Sequence, residues 1–356
     1  MKELRLMKGN EAIAEAAIRA GADAYFGYPI TPQSEILEHL AEQNPEETTG
    51  MVVLQAESEI AAINMVYGAA CTGRRVMTSS SGPGISLMAE GISYLAGSEL
   101  PCLIVNVSRG GPGLGTIQPS QSDYFQSVKG GGHGDYRVLV LAPSSVQEMA
   151  DFVSLGFDLA FKYRNPVLIL TDGVIGQMME KVELPDYRPR KKENESWATT
   201  GKTPDREHNI ITSLNLDALK HERHNIRLQT KYRRMEEEET RCETYLCDDA
   251  EYIVIAYGAS ARISRKSVEL ARNKGIKVGL FRPITLFPFP AKELIMAAKS
   301  TKGLLSVEMN AGQMIEDIRL AVECRIPVMH YGRYGGVIHD PSEILRAITA
   351  LWVSNI

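Results

Sequence analysis

Glu57 and Glu59 stand two residues apart in Gln55-Ala56-Glu57-Ser58-Glu59-Ile60-Ala61-Ala62, after an apolar run and before a small-residue helix pattern. A carboxylate there can serve the helix dipole alone, worth about 0.3–1 kcal/mol, or be aimed at a ligand nitrogen. Three other segments share this placement at the end of an apolar run. Gly27-Tyr28-Pro29-Ile30-Thr31-Pro32-Gln33-Ser34-Glu35 offers a hydroxyl, with Thr31 read as a helix N-cap and Pro32 as the first helical residue. Ser79-Ser80-Ser81-Gly82-Pro83-Gly84 offers small residues that admit a flat ring or a phosphate close to the backbone, or simply make a tight turn. It lacks the Gly-Lys-Ser/Thr of a P-loop. Asn106-Val107-Ser108-Arg109-Gly110-Gly111-Pro112-Gly113 offers Arg109, suited to a bidentate carboxylate clamp or to a structural ion pair. Its glycines do not have dinucleotide-fingerprint spacing. The loop from Gly110 to Ser122 reads as a substrate cover or a plain surface loop. His133, in a glycine-rich turn, is a lesser candidate for meeting an anion.

These segments need a scaffold that gathers them. Strand patterns fall at 24–30, 51–55, 75–80, 102–107, 137–142 and 166–171. Helical patterns fall between them: Asn10, as a cap, to Ala20, then 32–43, 59–71, 84–97 and 145–163. Runs such as Cys102-Leu103-Ile104-Val105-Asn106-Val107 suit strands buried on both faces of a doubly wound parallel sheet. In such sheets ligands bind outside the carboxyl ends of the strands, where all four segments lie. Residues 1–182 are expected to form this domain. Residues 183–249 change character, with a Pro/Lys/Arg-rich stretch at 185–195 and a charged helix over Asp217–Glu239, expected to be solvated or partner-facing. Residues 250–356 read as a second α/β unit, with strands at Tyr252–Tyr257, Lys277–Phe281, Leu304–Val307 and Pro327–His330.

The chain has 356 residues, a formal net charge of −5 and 23% charged residues. That balance argues against nucleic-acid or membrane-surface binding, which favours basic excess. No apolar run approaches the roughly 20 residues of a membrane helix, and residues 1–5 lack a signal-peptide pattern, so a cytoplasmic location is expected. The five cysteines form no C-x-x-C pair, and the histidines no H-E-x-x-H, so no protein-ligated metal is expected on this chain.

Taken in order, Tyr28-Pro29-Ile30-Thr31-Pro32, Glu57-Ser58-Glu59-Ile60-Ala61-Ala62, Ser81-Gly82-Pro83-Gly84 and Val107-Ser108-Arg109-Gly110-Gly111-Pro112 resemble the 2-oxoacid:ferredoxin oxidoreductases. Arg282-Pro283-Ile284-Thr285-Leu286-Phe287-Pro288 and Glu308-Met309-Asn310-Ala311-Gly312-Gln313-Met314 extend the resemblance over essentially the whole chain. It implies an alpha-type subunit with a pyrimidine-type thiamine-diphosphate-binding domain and a transketolase C-terminal-like α/β domain. Within the family the phrases Thr31-Pro32-Gln33-Ser34-Glu35, Ile117-Gln118-Pro119-Ser120-Gln121-Ser122-Asp123-Tyr124-Phe125 and Gly130-Gly131-Gly132-His133-Gly134-Asp135-Tyr136 resemble the branched-chain type. That type converts 3-methyl-2-oxobutanoate and CoA to acyl-CoA, CO2 and reduced ferredoxin. A 2-oxoglutarate type and a non-redox thiamine enzyme subunit are the alternatives.

By the same resemblance Glu59 is the carboxylate that hydrogen-bonds the pyrimidine and favours its imino tautomer, with Glu57 its competitor. Thr31 and Arg109 contact the 2-oxoacid, and Tyr28, Ser81 and Gly82 join Glu59 in holding the cofactor. The Gly-Asp-Gly segment that holds the diphosphate through Mg²⁺ has no counterpart: Gly134-Asp135 is followed by Tyr136, and Asp172-Gly173 is preceded by Thr171. A beta-type subunit is therefore expected to supply the diphosphate site, Mg²⁺ and a [4Fe-4S] cluster. A gamma-type and a small ferredoxin-like subunit are expected to complete a hetero-oligomer that is inactive without them.

Overall fold

The computed structural model describes residues 3–190, 195–202 and 204–353, so 191–194 of the Pro/Lys/Arg-rich stretch lie outside the described residues. After β1 (Leu4–Lys8) and α1 (Gly9–Arg19) come β2 (Ala24–Gly27), α2 (Ser34–Gln43), the short α3 (Pro45–Thr48) and β3 (Val52–Gln55). Then follow α4 (Glu59–Cys71), β4 (Val76–Ser80), α5 (Gly82–Gly97), β5 (Cys102–Ser108), α6 (Tyr124–Val128), β6 (Leu139–Leu141), α7 (Val146–Tyr163) and β7 (Pro166–Asp172). The short α8 (Gly173–Gln177) and β8 (Met179–Glu183) lead to the long α9 (Ala218–Glu238) and β9 (Cys242–Tyr245). The remainder is β10 (Tyr252–Ile255), α10 (Gly258–Arg272), β11 (Val278–Pro283), β12 (Thr285–Phe287), α11 (Ala291–Ala297), β13 (Gly303–Glu308), α12 (Met314–Ala321), β14 (Val328–Gly332) and α13 (Pro341–Val353).

The first sheet has the order β12-β6-β7-β5-β4-β2-β3. All its pairings are parallel except that of β12 with β6. Every residue of β5 and β7 is buried, as two-sided burial requires of their unbroken apolar runs. From β2 the chain moves outward to β3 and then returns to the other side of β2 for β4. Right-handed crossovers in opposite directions put α2 and α4 on opposite faces and open a crevice between the ends of β2 and β4. The second sheet has the order β14-β13-β10-β11-β9, parallel except for β9. The sheets exchange edges: β9 comes from before the second unit, and β12 leaves that unit to pair with β6.

Two expected helix starts are corrected. Asn10 does not cap α1; Lys8 holds that place, and Asn10 lies inside the helix, donating to the Pro32 carbonyl at 2.7 Å and to Glu35 at 3.0 Å. Thr31 and Pro32 do not open α2. A turn closed by Gln33 N–H on the Ile30 carbonyl at 2.9 Å delays the helix to Ser34, with Gln33 at its N-cap. The turn prevails because the Gln33 side chain is fully buried and satisfied within it. Its amide donates to the Tyr28 carbonyl at 2.9 Å and accepts from Ser79 Oγ at 2.6 Å. Sequence reading also missed the antiparallel β1–β8 ribbon, whose alternating charges hid its pattern.

One residue ties the two α/β units together. Gln121, 2% exposed, donates from its backbone to the Met309 carbonyl at 3.0 Å and from Nε2 to the Tyr257 carbonyl at 2.8 Å. Its Oε1 accepts from Ser260 Oγ at 2.7 Å and Met309 N–H at 3.0 Å, and its carbonyl from Tyr257 Oη at 3.1 Å and Asn310 Nδ2 at 2.9 Å. Gln313 bridges the same seam, donating to the Ser122 carbonyl and accepting from Phe125 N–H, each at 2.8 Å. Buried Glu308 accepts the backbone N–H groups of Gln313, Met314 and Ile315 and so fixes the start of α12. The phrase from Glu308 to Met314 is thus structural: it builds the seam.

Two stability predictions follow from this wiring. Gln121→Leu leaves buried donors of Ser260 and Met309 unpaired and is expected to cost about 3 kcal/mol in urea unfolding, at roughly 1–3 per orphaned group. Burial alone would raise the Glu15 carboxyl, but hydrogen bonds from His39 and Arg19 and the charges of Arg5 and Arg19 hold it at about 2, against an ordinary 4.5. A depressed carboxyl stabilises the fold above its unfolded value and loses that contribution as pH falls. Wild type should exceed Glu15→Gln by about 2–3 kcal/mol at pH 7, by less as pH falls below 4.5, and by nothing near pH 2, read from urea midpoints.

Candidate active site

The carboxyl ends of β2, β3, β4 and β5 converge, and the four segments singled out in the sequence leave from them. After β3, Ser58 caps α4 by accepting from Ala61 N–H, which places Glu59 in the first helical turn. Glu59 is 6% exposed, whereas Glu57 is exposed. Its carboxylate accepts no hydrogen bond from the described residues and lies against the first turn of α5. A Cβ placed on Gly84 would sit 2.6 Å from Glu59 Oε1 and 2.1 Å from Ser80 Oγ. Glycine is therefore required at 84 for the carboxylate to reach this position.

Ser81 occupies the N-cap position of α5 without capping it, and Gly82 follows with φ +27. The hydroxyls of Ser80 and Ser81 are buried and unpartnered. A mostly buried carboxylate with no hydrogen-bond partner among the described residues, beside two orphaned hydroxyls and a glycine turn, is what a polar ring with donors and acceptors on its edge would satisfy. The residues present thus fit a pyrimidine held by Glu59, Ser81 and Gly82.

Arg109 leaves the end of β5 toward β2. Its terminal nitrogens donate to the carbonyls of Thr31 at 3.0 Å and Leu114 at 3.2 Å, while Nε is buried without a partner. Among the described residues it forms no ion pair, and the nearby carboxylate whose field it feels is that of Asp123. The structure therefore brings Thr31 and Arg109 into direct contact, through the Thr31 backbone, leaving the Thr31 side chain exposed. Tyr28 sits half-buried in the same turn, its carbonyl held by Gln33. A relay from Tyr25 Oη through Ser79 Oγ to Gln33, at 2.7 and 2.6 Å, locks that turn onto β4, and burial pushes the Tyr25 hydroxyl up to about 12.

Arg109 and Gly82 face a cleft of about 640 Å³ lined also by Gly110 to Gly113, Asp123, Met309, Asn310 and Tyr334. It lies at the seam between the two units. Asp123 is a site residue that sequence reading missed. Burial pushes its carboxyl up, against a hydrogen bond from Asn106 and the charge of Arg109. The only signal for it was its place in the phrase after the glycine loop. His133 lies elsewhere, facing a separate cavity with Ser93 and Gly97, at the far end of α5 from Gly82. Asp172 has a structural place. It caps α8, accepting from Val174 and Ile175, and burial raises it to about 6.

A family model described as pyruvate flavodoxin/ferredoxin oxidoreductase, thiamine diphosphate-binding, matches residues 15–243. Another, pyruvate:ferredoxin oxidoreductase core domain II, matches residues 250–344. The chain is 54% identical over 344 residues to ketoisovalerate oxidoreductase subunit VorB of Methanothermobacter thermautotrophicus, covering 97% of each. It is 38% identical to 2-oxoglutarate synthase subunit KorA of Methanothermobacter marburgensis, covering 99% of this chain and 100% of the relative. Among solved structures, 2-oxoglutarate:ferredoxin oxidoreductase from Magnetococcus marinus superposes with a TM-score of 0.88 at 29% identity. That match covers 98% of this chain, which spans only 65% of the length of the solved one. A split-gene transketolase matches at a TM-score of 0.62 and 13% identity, over 98% of this chain and 99% of that one, which shows a shared fold. With both domain types in order and most of its length shared with such subunits, this chain belongs to the 2-oxoacid:ferredoxin oxidoreductases.

Proposed function

We propose that the chain is the pyrimidine-binding subunit of a branched-chain 2-oxoacid:ferredoxin oxidoreductase. It would act on 3-methyl-2-oxobutanoate with CoA, giving acyl-CoA, CO2 and reduced ferredoxin in the cytoplasm. The observation that carries the reading is the mostly buried Glu59 carboxylate, without a hydrogen-bond partner among the described residues, placed against the start of α5, with Arg109 across the same strand ends. The higher identity to ketoisovalerate subunits than to 2-oxoglutarate ones supports the branched-chain substrate.

In this reading Glu59 accepts a hydrogen bond from the pyrimidine ring nitrogen. Tyr28, Ser81 and Gly82 bound the ring. When bound, thiamine diphosphate supplies the carbon nucleophile that the protein itself lacks. Arg109 holds the substrate carboxylate by charge-assisted hydrogen bonds, and Thr31 orients the 2-oxo group beside it. Pro83, Pro112, Met309 and Ala311 offer the cleft's apolar surface to a branched side chain. The chain offers no diphosphate or Mg²⁺ site in its motifs. A beta-type subunit would bring these and a [4Fe-4S] cluster, with gamma-type and ferredoxin-like subunits completing the assembly. We further take the functional units to be 1–182 and 250–356, joined through 183–249.

Three substrates offered in competition to the co-expressed complex test the reading: 3-methyl-2-oxobutanoate should give the highest kcat/KM, above 2-oxoglutarate and pyruvate. Glu59→Gln should lower 2-oxoacid-dependent ferredoxin reduction by about 10²- to 10⁴-fold with the assembly intact; an undiminished rate would remove Glu59 from its role. Arg109→Lys, which keeps the charge and loses the fork, should raise KM by about 10- to 100-fold with a smaller change in kcat.

A further inference from the structure

Every residue from Leu214 to Arg223 is exposed, although three of them are leucines. Leu214, Leu216 and Leu219 are 70%, 91% and 65% exposed, and nearby Ile210 and Ile226 are 77% and 60%. This is the loop before α9 and the helix's first turns. Contact with the domain begins at His224, whose Nε2 lies 2.7 Å from the Gly97 carbonyl, and the buried Leu228, Tyr232 and Met235 follow on the face of α9 turned to the domain. Leu219 and Ile226 are seven residues apart and fall roughly half a turn around the helix from that buried face. The helix thus carries two apolar stripes, one used and one bare. A first turn held by the Asp217 side chain on Lys220 N–H at 3.1 Å and the Asp217 carbonyl on His221 N–H at 2.9 Å has no packed side chain to support it.

The bare stripe has a charge sign. Around residues 219–226 Arg223 and Arg227 share the outward side with it, Lys220 lies at its rim and Glu222 flanks it, while further along Arg233 and Arg234 are interleaved with Glu237. Arg227 and Arg234 have carboxylate partners on this chain, in Glu99 and Glu238. Lys220 and Arg223 form no ion pair or hydrogen bond through their side chains among the described residues. A second copy of this chain laid antiparallel on the stripe would set these cations against each other, at a cost in repulsion. The complement is a surface that is apolar at its centre and acidic around it.

We propose that residues 210–226 are a docking surface for another subunit of the complex, engaging an acid-flanked apolar segment of that polypeptide. The proposal goes beyond the reading of the catalytic cleft and uses none of its residues. Leu219 and Ile226 are buried by the partner, and Lys220 and Arg223 pair with its carboxylates. The surface gives α9 its purpose: the buried stripe anchors it, and the bare stripe presents it.

The test uses the co-expressed complex. Leu219→Asp with Arg223→Glu should weaken retention of one subunit by at least 10-fold in native mass spectrometry across a salt series. Ferredoxin reduction by whatever intact complex remains should be unchanged, which separates this result from failure of the catalytic reading. Thermal unfolding of the isolated variant controls for misfolding. If the variant does misfold, hydrogen exchange of the wild type decides: residues 214–226 should be protected in the complex and unprotected in the isolated chain. Unchanged assembly with a folded variant, or equal exchange in both states, overturns the proposal. So does loss of self-association of the isolated chain, which would make the occupant a second copy.

Discussion

A single buried side-chain amide sets the geometry on which the site depends. Gln121 belongs to the segment that follows the glycine loop, yet its polar atoms are satisfied from the other α/β unit. That segment also carries Asp123, which faces Arg109 and the start of α5. The cleft wall is therefore held by a domain that contributes little chemistry of its own. A buried amide left half-satisfied would be costly, so the two units have one relative position that pays no such penalty.

The site is also electrostatically unfinished by design of its parts. Glu59 has no hydrogen-bond donor among the described residues, and Arg109 meets the charge of Asp123 without forming an ion pair, a few side chains away from one another at the same sheet end. They do not neutralise each other because each is held back by its own element: Glu59 by the first turn of α4, Arg109 by the carbonyls of Thr31 and Leu114. A pair that could collapse into a salt bridge would give up the capacity to bind two different ligand groups.

Much of this was legible in the sequence because two-sided burial writes strands as unbroken apolar runs, and ligand segments follow those runs. The segments that carry Glu57 and Glu59, Ser81 and Gly82, and Arg109 could be picked out on that ground, while the choice of residue within them came from the family resemblance. The roles of Gln33 and Gln121 could not, since a glutamine whose amide crosses a turn or a domain seam looks like any surface glutamine until its partners are known. The same holds for Asn10, which reads as a cap locally and is claimed instead by Pro32 and Glu35, far along the chain. Local cap rules fail where a distant carbonyl offers a better acceptor. The burial difference between Glu57 and Glu59 likewise emerges only when α5 packs across α4.

The strand β12 has a consequence for how the molecule is made. It lies at residues 285–287, yet it closes the outer edge of β6 in the first sheet. During synthesis the first sheet can gather six of its strands while the ribosome is still far from this point, but one border stays open. An unpaired border is a template for other chains, and growth at several residues per second leaves it exposed for many seconds. The nascent protein is thus most vulnerable between the emergence of β7 and that of β12, and chaperone protection in the cell would matter most in that interval.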